Sequence, residues 1–117
     1  MALLTIILAT APVVVEGDAA FSYRIESAAE VRGMELDGLP GCAVLDCSRI
    51  GQEAWVWVDG SWFGPFRVVD CAASHHRAFW DEHDRAVDLP WSLWDEWGLP
   101  LAPYPVKVYF PGVPPPH

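Results

Sequence analysis

The chain has 117 residues, 52% apolar and 20% charged, which is enough for one core and too apolar for a disordered segment. Seven basic residues stand against 16 acidic ones, a net charge of -9. Such a surface repels phosphate backbones and anionic headgroups, so nucleic-acid binding is excluded as a main role and membrane-surface binding is disfavoured, while cationic partners and neutral ones such as sugars stay open.

Met1 to Val15 reads MALLTIILATAPVVV and carries no charge. It is too short to span a bilayer comfortably and matches the apolar core of a secretory signal, although no Lys or Arg precedes Arg24. One reading is a leader over residues 1–18, cut after Gly17 or Ala19. The other is a buried first strand or an apolar arm. Residues 19–111 then form the domain. Ala19 to Ile25 suits a strand, and Glu26 to Gly41 is mixed, punctuated by Gly33, Gly38, Pro40 and Gly41. Cys42 to Cys47 is a short apolar run that suits a strand. Ala54 to Val58 alternates, with Trp55 and Trp57 on one face and Val56 and Val58 on the other. Asp59-Gly60 marks a tight turn into a second strand, Trp62 to Asp70, with a bulge or kink at Gly64-Pro65. Ala72 to Arg85 is polar and His-rich, a loop or short helix, and Ala86 to Leu89 a short strand. Pro90 to Trp97 is a short helix, opened by Pro90 and closed by Gly98. A closing strand has Val106, Val108 and Phe110 on one face. The Pro-rich tail, 112–117, cannot pair in a sheet.

Eleven prolines argue against a helical bundle, because proline removes backbone donors and breaks helix interiors. Seven tryptophans suit strands and flat stacking surfaces. The three cysteines, Cys42, Cys47 and Cys71, leave at least one thiol without an internal partner and include no C-x-x-C pair. One disulfide fits an oxidising compartment, whereas three reduced thiols fit the cytosol.

Three segments resemble the double-psi β-barrel domains of expansins, barwin-like proteins and rare lipoprotein A. Gly51 and Ala54-Trp55-Val56-Trp57-Val58-Asp59-Gly60 look like the family's hairpin. Phe66-Arg67-Val68-Val69-Asp70-Cys71 is similar to its V-x-V-x-D strand end, and Arg85-Ala86-Val87-Asp88-Leu89-Pro90 to its Asp-Leu element before a short helix. The resemblance covers about two thirds of the chain by eye. It implies a mostly β fold, a six-stranded double-psi β-barrel with one short helix. It also implies a carbohydrate groove on polysaccharide or peptidoglycan, a secreted, periplasmic or cell-surface location, and no cofactor. Some family members cleave glycan strands and others only bind or loosen them. Asp70 maps onto the catalytic acid, and Asp88 onto an Asp that is catalytic in some members. The barwin-like pattern implies a Cys42–Cys71 disulfide, with Cys47 the other candidate. Two positions depart from the pattern: Leu45, with Asp46 beside it, and Ala86 stand where family members carry His.

The chemistry of the residues points the same way. Glycoside cleavage needs a carboxylic acid of raised pKa and usually a second carboxylate. Asp70 and Asp88 each sit beside apolar strand residues, so each suits that role; each also suits a structural cap. The expectation is that Asp70 edges a groove with Asp88 or Asp46 close by. Trp55, Trp57 and Trp62 are candidate sugar-stacking residues or subunit-packing residues. Trp91, Trp94 and Trp97 recur on one side of the short helix and suit core packing. His75, His76 and His83, among Asp81, Glu82 and Asp84, fit a solvated polar loop better than a metal site. The alternative function is a structural or assembly protein that self-associates through its aromatic surfaces.

Overall fold

The structure, a computed structural model, describes residues 12–72, 76–100 and 103–112. Six strands close into a barrel: β1 (Val13–Ser22), β2 (Gly41–Val44), β3 (Glu53–Val58), β4 (Ser61–Cys71), β5 (Arg85–Pro90) and β6 (Tyr104–Phe110). Around the barrel the order is β1-β5-β2-β4-β3-β6, and β6 pairs back onto β1. The β1/β5 and β2/β4 pairs are parallel and the rest antiparallel. The mostly β barrel expected from the sequence is therefore what forms.

Its interior follows from period-two alternation. Ala54, Val56 and Val58 of β3 point inward, as do Phe66 and Val68 of β4, Val87 and Leu89 of β5, and Val106, Val108 and Phe110 of β6. The hairpin turn forms at Asp59 (φ 49°) and Gly60 (φ 87°), the left-handed pair that a two-residue loop requires. Beyond it, the β3/β4 register shifts between Ala54 and Val56, opposite Gly64-Pro65. The short helix α3 (Trp91–Glu96) caps the core: Trp94 is fully buried and its indole N–H donates to the Pro100 carbonyl at 3.0 Å. Trp91 and Trp97 pack half-buried beside it, so this helical set is core.

Several elements differ from the sequence reading. Strand β1 begins at Val13, inside the 1–18 segment, and cleavage after Gly17 or Ala19 would sever it. Residues 1–11 and the tail from 113 onward lie outside the described residues. Ile25 does not end a strand; it opens a helix, α1 (Ile25–Arg32). Ile25 and Ala29, one turn apart, bury against Ala43 of β2 and Val69 of β4, and Gly33 (φ 65°) closes the helix. The helix lies so close to β2 that a Cβ on Gly41 would come 2.8 Å from Ile25 Cγ2. A further helix, α2 (Arg77–Glu82), occupies part of the His-rich segment.

The disulfide joins Cys47 to Cys71, with Cα atoms 4.9 Å apart, and Cys42 is a free thiol. The expected Cys42–Cys71 bond is thus corrected. Cys42 lies opposite Val68 in the β2/β4 register and is fully buried in the core, whereas Cys47 stands on a 3-10 turn (Cys47–Arg49) beside the end of β4.

Candidate functional site

The outward positions of β3, β4, β6 and β1 build one aromatic face. Trp57 lies opposite Trp62 across the hairpin, Trp55 opposite Tyr109 on β6, and Tyr109 opposite Val14 on β1. Trp62 is 45% exposed and Val14 54%. The rings meet edge to face: Trp57 and Trp62 have centroids 5.1 Å apart at 65°, and Trp62 and Tyr109 6.0 Å apart at 62°. Val14, Trp55, Trp62 and Tyr109 line a shallow, apolar groove of about 510 Å³. Trp57 also borders an adjoining groove with Glu16, Asp18, Asp59 and Asp84. All three tryptophans singled out in the sequence therefore gather on one surface.

The candidate carboxylates sit elsewhere on the barrel. Opposite Cys42 and Ala43, β4 carries an extra residue, since Cys42 pairs with Val68 and Ala43 with Asp70. This bulge turns Asp70 to the outer face, beneath α1. Asp70 Oδ1 accepts a hydrogen bond from Arg32 Nη2 at 3.0 Å. The pair borders an open cleft of about 510 Å³ with Arg24, Ser27 and Val31 of the α1 region. Asp70 does edge a groove, but no aromatic ring lines it among the described residues.

Asp88 points outward from β5, between Ala20 of β1 and Ala43 of β2. Its Oδ1 accepts from Arg85 Nη1 at 3.1 Å, and its side chain is only 20% exposed. Burial raises the Asp88 pKa above the ordinary aspartate value; the Arg85 charge and hydrogen bond oppose this, and the Asp70 charge adds to it. The two carboxylates are not on adjacent strands, since β2 lies between β5 and β4. Both lie opposite Ala43, on either side of β2, so their Cα atoms are two strand spacings, about 10 Å, apart. Asp88 can hold a proton above the usual range. Its Oδ1 is nonetheless engaged by Arg85, whose guanidinium lies over the Phe79 and Trp80 rings at 5.7 and 5.9 Å.

Asp46 is committed to a local cap. It caps the 3-10 turn, accepting from Ser48 N at 2.9 Å and Ser48 Oγ at 2.8 Å. Those bonds, first the side-chain one, lower its pKa. In the His-rich segment, His75 lies outside the described residues. His83 donates from Nδ1 to the Phe79 carbonyl at 2.9 Å and stacks on the Phe79 ring. Among the described residues, no three His, Cys, Asp or Glu side chains gather as a metal site.

Sequence reasoning missed Tyr109, Val14, Arg32 and Arg85 as parts of these sites. Tyr109 was signalled: with Val106, Val108 and Phe110 inward, it must face out. Arg32 was not, because its contact with Asp70 depends on a helix that the sequence did not announce. Compared with protein-family models, curated proteins and solved structures, the chain matches none.

Proposed function

We propose that the chain is a non-catalytic binding module for a neutral cell-wall polysaccharide, including the glycan strands of peptidoglycan, and that it works outside the cytoplasm. The carrying observation is Trp62, an exposed indole flanked by Trp57 and Tyr109 on an apolar groove. Aromatic faces stack on the C–H faces of sugar rings without needing charge, which suits a protein of net charge -9. The Cys47–Cys71 disulfide is in keeping with an oxidising compartment. Two parallel pairings inside one closed six-stranded barrel are in keeping with a double-psi relationship to expansins, barwin-like proteins and rare lipoprotein A. Cleavage is left out because Asp70 and Asp88 are each ion-paired to arginine, and neither lines the groove of Trp55 and Trp62.

Native electrophoresis through gels containing soluble polysaccharide tests this. The protein should be retarded, the Trp62→Ala variant should run unretarded, and no reducing ends should be released. Equal retardation of the variant would reject the site. A second reading, assembly through the same face, draws on the exposure of Val14 beside Trp62. It requires a dimer that Trp62→Ala dissolves.

A further inference from the structure

We infer that the aromatic face takes a single glycan chain free in solution and rejects the flat face of a crystalline polysaccharide. This inference rests on the proposed polysaccharide-binding role and narrows its substrate class.

A crystal face is a plane of parallel sugar rings, so a binder of it must offer several aromatic rings in one plane. Trp62 stands at 65° to Trp57 and at 62° to Tyr109. Whichever of these rings lies flat on the sheet, its neighbour stands across it. The surface is therefore stepped, with Trp62 at the step. Backbone shape adds to this. The rings come from β3, β4 and β6, three neighbouring strands in a closed barrel, and neighbouring strands rotate by roughly 20–25° relative to each other. The outer face thus curves away from any plane laid on it. A lone chain does not face this difficulty, because it can turn each sugar to meet each ring. The groove of about 510 Å³ lined by Val14, Trp55, Trp62 and Tyr109 falls within the roughly 300–1,000 Å³ of ordinary small-ligand sites, the scale of a short oligosaccharide. Its lining is almost wholly apolar, so it selects for ring faces and not for charged substituents.

The test pairs one chemistry in two physical states: cellohexaose with microcrystalline cellulose, and chitohexaose with crystalline chitin. Tryptophan fluorescence reads the soluble sugars, and depletion from the supernatant reads the solids. The expected result is saturable quenching by at least one hexaose, weakened about tenfold or more by Trp62→Ala, with no depletion by its solid. Depletion by a solid, whether or not its hexaose quenches, would overturn the inference and leave the polysaccharide-binding role standing. No response to either state would remove that role, and the inference with it. Dimerisation at the working concentration, lost in Trp62→Ala, would assign the face to a second copy of the chain and overturn both. Trp62 is exposed at the hairpin, so circular dichroism of the variant should match that of the parent.

Discussion

Asp70 and Asp88 carry the same charge on the same barrel face, yet their surroundings give them different physics. Asp70 pairs with Arg32 where both side chains are about 40% exposed (40% and 38%), so water screens the pair and it is worth at most about 1 kcal/mol. Asp70→Asn should therefore cost no more than about 1 kcal/mol in urea unfolding and leave glycan binding unchanged. Loss of binding in that variant would move the site to the α1 cleft. Asp88 is shielded, and burial lifts its pKa above 3.8. A carboxyl whose folded pKa is raised favours the fold while protonated. Its contribution is full below the unfolded value and is lost as pH rises through the folded value. Relative to the parent, Asp88→Asn should therefore gain stability from about pH 4 upward and then level off. A difference that stays constant with pH would contradict this account. The sequence marked both aspartates because each neighbours apolar strand residues. It could not show that arginines had already claimed them, because Arg32 and Asp70 meet only through the tertiary fold.

At the scale of elements, alternation made the strands legible, and helix α1 was not. Trp55-Val56-Trp57-Val58 and Val106-Lys107-Val108 state their faces openly. In α1 only Ile25 and Ala29 are buried, too few to make a 3.6-residue period stand out. Its end signals, Glu26 in the first turn, Arg32 in the last and Gly33 after it, were present but weak. The bulge that inserts Val69 between Val68 and Asp70 is likewise invisible in sequence, since it appears only as a slip against β2. The disulfide choice turned on the same geometry. The Cys47–Cys71 bond spans 24 residues, and closing such a loop stabilises by about 3.5 kcal/mol in the chain-entropy account. Replacing both with serine should lower unfolding stability by about that much. In the native protein Cys42 should resist alkylation, because burial lifts its thiol pKa to about 12 and removes it from solvent. Rapid labelling of Cys42 before unfolding, or an unchanged stability in the double serine variant, would contradict the assignment.

Across the whole molecule, the barrel holds two surfaces apart. The aromatic face belongs to β1, β6, β3 and the start of β4; the ion-paired aspartates belong to β5 and the end of β4, on either side of β2. Closure of the barrel carries these apart, so Asp70 does not share a groove with Trp55 and Trp62. That separation is the reason for proposing a binder of glycan strands and not an enzyme that cleaves them. The most direct test is a ¹H–¹⁵N spectrum of the tryptophan indoles during titration with a soluble glycan hexaose. The indole N–H signals of Trp55, Trp57 and Trp62 should shift together and saturate, while that of Trp94, buried and bonded to Pro100, stays fixed. Shifts confined to Arg32, Asp70 and the other residues of the α1 cleft, with the three indoles unmoved, would contradict the account.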